Sequence, residues 1–183
     1  MPCIYLAGPD VFLPDAIEAG RRKAAICARY GLTGLYPLDN AINLAHPDAS
    51  RHIFSSNEAM MHAADAIIAN LTPFRGPSAD AGTVYELGYM AGRGKLCLGY
   101  SNDPRSYTGR VPHMARDSVL RDADEFVVED FQLADNLMIV HALDLHGAAL
   151  VLPRVASADP WRDLAAFEIC VRIAAQRLRP DPA

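Results

Sequence analysis

The sequence predicts an α/β domain: one doubly wound unit, flavodoxin-like or Rossmann-like, around a mainly parallel five-stranded sheet. Three observations predict it. Short apolar runs alternate along the chain with longer amphipathic ones, as strands alternate with helices. The run Asp65-Ala66-Ile67-Ile68-Ala69-Asn70-Leu71 is apolar almost throughout, as in a strand covered on both faces. The 183 residues, 51% apolar and 21% charged, suit one ordinary domain spanning 1–183, and no repeat, low-complexity tract or composition break divides them.

Taken in order, Cys3 to Ala7 is a short apolar run stopped by Gly8-Pro9-Asp10, hence a buried first strand and a loop. Asp15 to Tyr30, rich in Ala, Arg, Lys and Ile and followed by Gly31, is a helix with a glycine stop. Leu32 to Tyr36 is a second strand ended by Pro37, and residues 37 to 50 are a polar loop. Arg51 to Ala64 is a helix, Asp65 to Leu71 the buried strand, and Thr72 to Ser78 a turn-rich loop. Asp80 to Ala91 is a helix closed by Gly92 and Gly94, and Lys95 to Tyr100 a strand. Residues 101 to 122 form a long polar loop, of the length that carries function. Phe126 to Val128 and Leu137 to Val140 are short strands, and Pro160 to Leu178 is a last helix before the tail Arg179-Pro180-Asp181-Pro182. Right-handed crossovers then place helices on both faces. Ligands in such sheets bind beyond the carboxyl ends of the strands, which selects the loops after Ala7, Asn70 and Tyr100.

Composition excludes several classes. A net charge of -5 gives no electrostatic basis for binding a nucleic-acid backbone. No apolar run approaches the roughly 20 residues of a membrane span, and the N-terminus lacks a signal-peptide pattern, so a cytoplasmic protein is expected. Cys3, Cys27, Cys97 and Cys170 lie far apart with no CxxC pair, and read as small core residues. GxGxxG, P-loop, GxSxG and HExxH patterns are absent, which weakens dinucleotide, kinase, serine-hydrolase and zinc-hydrolase readings.

The informative stretch runs from Arg75 to Met90, a glycine-containing loop leading into a helix. Helical spacing puts Val84, Leu87, Gly88 and Ala91 on one apolar stripe and turns Glu86 away from it, toward the loop. Gly82 and Gly88 each cost about 1 kcal/mol in a helix against Ala, which suggests close approach of a ligand or another backbone. Glu86 is surrounded in sequence by Tyr85, Leu87, Tyr89 and Met90 instead of the lysines and arginines of a solvated face. Asp80 is suited to cap the helix N-terminus and can do so at the mouth of a site.

Four pieces in this order, IYLAGPDVF, DAIIANLTPFRGPSAD, AGTVYELGYMAGRGK and ADNLM, resemble the nucleoside 2-deoxyribosyltransferase family over residues 4 to 140. The resemblance implies that Glu86 attacks the anomeric carbon of a 2′-deoxynucleoside, forming a sugar ester that a second nucleobase resolves with retention, as in retaining glycosidases. It implies that Asp80 holds or protonates the departing base. It further implies that Tyr5, Gly8, Phe12 and Gly82 line the substrate pocket, and that Asn136 and Met138 reach the site of a neighbouring subunit. A homo-oligomer acting on a small nucleoside and a free base follows, with no cofactor, metal, nucleic acid or membrane. The better-known members carry an aspartate where this chain has Asn57, which can hydrogen-bond a base or a sugar hydroxyl but cannot exchange a proton near neutral pH. Two other readings use the same scaffold. A hydrolase of deoxynucleosides or their 5′-monophosphates would let water resolve the ester, with Arg75, Gly76 and Ser78 available to a phosphate. A nucleotide-binding module would bind without turnover.

Overall fold

The structure, a computed structural model, describes residues 1–39 and 45–179. The expected loop at 37–50 and the expected tail therefore lie partly outside the described residues. Strands β1 (Cys3–Ala7), β2 (Thr33–Leu35), β3 (Ala66–Asn70) and β4 (Leu96–Tyr100) form a parallel sheet in the order β2-β1-β3-β4. The chain winds outward from β1 to β2 and returns to lay β3 on the other side of β1, so the winding direction reverses between β1 and β3.

Strand side chains alternate between faces. Ile4, Leu6, Ile68, Leu98 and Tyr100 pack on one side against α1 (Ala16–Arg29) and α5 (Ala165–Arg177), through Ile26, Cys27, Phe167, Cys170, Val171 and Ala174. Tyr5, Ala7, Ile67, Ala69 and Cys97 pack on the other side against α2 (Ala49–Ala63), α3 (Ala81–Gly92) and α4 (Leu137–His146), through Met61, Leu87, Met90, Ile139 and Leu143. Both faces are covered, as the apolar strands require. Among the described residues no helix is long and apolar enough to cross a membrane.

The sheet has four strands instead of the expected five. Where a fifth would lie beside β4, contact is reduced to two isolated parallel bridges, Cys97 to Gly147 and Tyr100 to Val151. At Gly147 a Cβ would sit 1.7 Å from the Cys97 carbonyl oxygen, so only glycine fits this crossing. Leu137 to Val140, expected as a short strand, opens α4 instead. Asn136 caps that helix, its Oδ1 accepting from Met138 N–H at 2.9 Å, and Ile139, Val140 and Leu143 are buried at helical spacing. Phe126 to Val128 is no strand: Val127 makes one bridge to Arg121, and Phe126 and Val127 face outward. The long loop contains a small hairpin, β5 (Met114–Arg116) with β6 (Val119–Arg121). The last helix starts at Ala165, five residues later than expected.

Beneath the carboxyl end of β1 lies a buried ion pair. Lys23 Nζ is 2.6 Å from Asp10 Oδ2, and both side chains are 2% exposed. Asp10 Oδ1 accepts from Asn70 Nδ2 at 3.0 Å, and the ammonium lies over the Tyr100 and Phe167 rings at 5.6 and 5.4 Å. Removing one partner of such a pair strands the other charge, at about 3 to 5 kcal/mol, whereas an apolar replacement of both is tolerated. Lys23→Met is therefore expected to lower unfolding stability in urea by about that amount, and Lys23→Met/Asp10→Leu to recover most of it. Equal losses in the single and double variants would show that the pair does not act as a unit.

Candidate active site

A cavity of about 380 Å³ opens beyond the carboxyl end of β1, between the turn at Pro9–Phe12, the turn at Pro37–Asp39, α2 and the start of α3. It sits where the strand order reverses, the usual ligand position in a doubly wound sheet. Val11, Phe12, Pro37, Leu38 and Ile53 supply an apolar wall. Gly8, Asn57, Asp80, Gly82, Thr83 and Glu86 supply the remainder. A larger groove of about 640 Å³ runs beyond β3 and β4 past Asn102 and Trp161. Its two arginines are committed: Arg105 to the Asp103 carboxylate, Arg110 to the carbonyls of Pro77, Arg105 and Ala134. The smaller cavity is where the free chemistry lies.

Gly8 forms its floor. Its φ is +156°, and a Cβ there would lie 2.5 Å from Asp10 Oδ2 and 2.7 Å from Asn70 Cβ. Asp80 caps α3 as expected, Oδ2 accepting from Thr83 N–H at 2.9 Å and from Thr83 Oγ1 at 3.1 Å. Glu86 comes six residues later, on the cavity side of α3. Thr83, Leu87 and Met90 are the fully buried residues of this helix; Val84 and Ala91 of the expected stripe pack partly buried against the same core, whereas Gly88 does not. Gly88 is exposed, and a Cβ there would meet nothing within 4 Å. At Gly82 a Cβ would meet Asp80 Oδ2 at 3.1 Å, so its lack of a side chain leaves the capping carboxylate room.

Tyr5 reaches the site from the middle of β1. Its phenol donates to Glu86 Oε1 at 2.6 Å. Burial, and then the Glu86 charge, push the phenol well above its usual range, so it remains a donor. Burial raises Glu86 to about 7, with the neighbouring Asp80 adding to the rise; hydrogen bonds from Tyr5 and Asn57 act in the opposite sense. A carboxyl poised near neutrality in a cleft marks a functional candidate.

Phe12 stacks on Phe74, ring centroids 5.4 Å apart and nearly parallel, while one face of the pair carries the Arg75 guanidinium. Seven of the nine expected site residues thus meet: Tyr5, Gly8, Phe12, Asn57, Asp80, Gly82 and Glu86. Asn136 and Met138 do not. Both are exposed at the start of α4 and neither lines the cavity of its own chain. Asp135 explains their placement. Its buried carboxylate accepts from Ser78 Oγ, from Ala79 N–H at 3.0 Å and from Asn136 N–H at 2.8 Å, tying the start of α4 to the loop that leads into Asp80. The apolar wall of Val11, Pro37, Leu38 and Ile53 was missed. Ile53 stands four residues before Asn57 on α2, so helical spacing could have placed the two on one face. Among the described residues no group of three or more His, Cys, Asp or Glu side chains is arranged to hold a metal ion.

The sequence profile of the family described as Nucleoside 2-deoxyribosyltransferase matches residues 4–138. The chain belongs to this family. Its structure resembles that of a 2-deoxyribosyltransferase from Leishmania mexicana, with 34% identity, a TM-score of 0.65, and coverage of 94% of this chain and 98% of the other. A conserved protein from Enterococcus faecalis V583, 22% identical, shares the fold at a TM-score of 0.57, with 97% and 99% covered. An uncharacterised protein of Schizosaccharomyces pombe is 38% identical over 116 residues, 61% of this chain and 55% of its own length. The α/β fold with a parallel sheet is thus that of the deoxyribosyltransferases, and the matched region contains both Asp80 and Glu86.

The raised Glu86 gives this family member a pH signature. Because the folded carboxyl binds its proton more tightly than an unfolded one, the folded state holds the extra proton between pH 4.5, the ordinary value, and about 7. Stability contributed by that proton is complete below the ordinary value and is lost as pH rises through this window, by up to about 3 kcal/mol. Glu86→Gln lacks the titration. Its stability relative to wild type should climb between pH 4.5 and 7.5 in denaturant melts. A constant difference across that range would mean that Glu86 is not raised.

Proposed function

We propose that the protein is a nucleoside 2-deoxyribosyltransferase in which Glu86 is the nucleophile. The observation that carries the reading is the placement of Glu86: a poised carboxylate, held by Tyr5, in a cavity of nucleoside size that has one apolar wall. A Glu86 oxygen attacks C1′ from the face opposite the base. The C1′–N bond breaks and its electron pair stays on the departing nitrogen. Asp80, on the same cavity wall, holds the one proton that the two carboxyls share when Glu86 is ionised, and delivers it to the base as the bond breaks. A second base then attacks C1′ of the ester, returns its N–H proton to Asp80, and releases Glu86, so that two inversions give retention. The two donors on Glu86 fix its orientation and favour the ionised form that attacks. Val11, Phe12, Leu38 and Ile53 offer flat apolar contact to a base. Tyr5, Gly8, Phe12, Asn57 and Gly82 accordingly serve substrate binding, and the reaction as written uses no cofactor.

The same groups would serve a hydrolase, and one observation bears on its 5′-phosphate version. Arg75 lies against Phe12, whose ring lines the cavity, but the Ser78 hydroxyl is committed to Asp135. The proposed phosphate set is therefore incomplete, and transfer is the better reading.

With 2′-deoxyinosine as donor and adenine as acceptor, chromatography should show 2′-deoxyadenosine for wild type and at least a 1,000-fold lower rate for Glu86→Ala, since removal of a covalent nucleophile leaves only binding and positioning. Hypoxanthine release at a rate indifferent to adenine, with no new nucleoside, would establish a hydrolase instead. Base release undiminished in Glu86→Ala would remove this residue from the mechanism.

Asn136 and Met138, exposed on their own chain, fit the reading that they complete the cavity of a neighbouring subunit in a homo-oligomer. Activity per chain should then fall as the protein is diluted into monomers, with Asn136→Ala reducing it at all concentrations. Full activity in a monomer verified by analytical ultracentrifugation would rule this out.

A further inference from the structure

The loop that brings Asp80 to the cavity is held by two buried charges from a distant part of the chain. Among the described residues, every hydrogen bond tying residues 73–79 to another part of the fold comes from Arg110 or Asp135. Arg110 Nε donates to the Pro77 carbonyl at 2.7 Å. The Asp135 carboxylate accepts from the Ser78 hydroxyl, and at 3.0 Å from N–H of Ala79, the residue before Asp80. The two side chains are 3% and 2% exposed, and their charged ends lie 3.7 Å apart. Neither lines the Glu86 cavity. Two charges are costly to bury unless their partners are well supplied. Here a large part of that supply is the backbone of one loop.

That loop ends in the group whose aim matters most. Asp80 opens α3, with Oδ2 accepting from Thr83 N–H and Thr83 Oγ1. Oδ1 takes no hydrogen bond from the described residues, so a proton on this carboxyl belongs on Oδ1. A proton donor must come within about 3 Å of the atom that receives the proton. A displacement of about 1 Å can cost about a hundredfold in rate. Asp80 is held from both sides: by its cap to α3, and by Asp135 through the preceding residue. Glu86 has separate support. It lies inside α3 and takes the Tyr5 phenol at 2.6 Å, and Asp135 touches neither. Disturbing Asp135 therefore spoils delivery of the proton before it spoils the nucleophile.

We propose that Asp135 is a positioning residue for Asp80: braced by Arg110, its carboxylate fixes the loop that ends at Asp80 and sets where the proton reaches the departing base. The inference rests on the proposed reaction, with Asp80 as the proton donor. A base that leaves readily as an anion needs little from that proton, whereas a poor leaving base depends on it. Loss of Asp135 therefore acts on poor leaving bases and largely spares good ones. A merely structural role would slow both alike.

The test follows base release in single turnovers from two donor pairs, 2′-deoxyuridine with 5-fluoro-2′-deoxyuridine and 2′-deoxyadenosine with 2-fluoro-2′-deoxyadenosine. In each pair one fluorine stabilises the departing anion. Asp135→Asn keeps the size of the side chain but leaves one acceptor oxygen where there were two. It should slow the plain donor about tenfold or more and its fluorinated partner about threefold or less. Asp80→Asn should show the same selectivity with larger losses. Equal losses within a pair for Asp135→Asn, beside a selective loss for Asp80→Asn, overturn the proposal and leave the reaction standing. Equal losses for Asp80→Asn remove Asp80 as the acid, and the proposal with it. Release of base from none of the four donors by wild type overturns the reaction and the proposal together. Should Asp135→Asn not fold, Ser78→Ala removes one of the three hydrogen bonds that the carboxylate accepts. A selective loss of about threefold upholds the proposal, and an unselective or absent loss overturns it.

Discussion

At the carboxyl end of β1 the chain must turn sharply under a ligand, and the turn is held by the Asp10 carboxylate. Its two oxygens are divided between Lys23 of α1 and Asn70 at the end of β3. Asn70 passes the connection on, Oδ1 accepting from Thr72 N–H at 3.1 Å. Thr72 Oγ1 accepts from Asn102 N–H, and the Asn102 amide donates to the carbonyls of Pro160 and Asp163 ahead of α5. One buried charge thus sets the relative positions of the loops after β1, β3 and β4, the three that the sheet topology assigns to ligands. Gly8 lies directly on the Asp10–Asn70 bond with no space for a Cβ, so the cavity floor is the outer surface of this network. A buried ion pair is a weak source of net stability. Its value here is geometric, because a satisfied polar network permits few alternative arrangements.

The site built on this floor balances two opposed demands on one carboxyl group. A carboxylate nucleophile gains reactivity as water is excluded, yet exclusion drives its pKa upward and removes the charge. Burial raises Glu86 to about 7, and Tyr5 and Asn57 restrain the rise by donating to it. Their positions differ in rigidity. Tyr5 is fully buried in a central strand, so its phenol is a fixed donor. Asn57 sits just past the middle of α2, half-buried on the cavity wall. The fixed donor suits orientation of the nucleophile.

Much of this was legible in the sequence for identifiable reasons. The β1, β3 and β4 runs are apolar enough to be buried on both faces, and the Asp80 cap and the position of Glu86 followed from local rules. What was not legible depended on partners distant in sequence. The stretch after Asn136 carries Ile139 and Val140, which by propensity suggest a strand; the Asn136 cap and burial of Leu143 make it a helix. The fifth strand failed because Gly147 crosses β4 too closely for an extended ladder. The Lys23–Asp10 pair was invisible, since nothing local distinguishes a buried lysine from the arginines at 21 and 22 on the same helix. Asp135 read as part of a turn, while its carboxylate in fact joins α4 to the loop before Asp80.

That last connection bears on why a site of this kind would be divided between chains. Asp135 and Arg110 fix the start of α4 against the loop of residues 77–79. The same clamp turns Asn136 and Met138 outward, Met138 being 72% exposed. Set against the cavity of a neighbouring chain, Met138 would cover apolar wall that otherwise faces water. The proposed sugar ester survives to meet a second base only while water is kept from C1′. Covering the cavity with a neighbour's rigid segment closes the site without a moving lid. In such an arrangement the balance between transfer and hydrolysis would depend on assembly as much as on any side chain that touches the sugar.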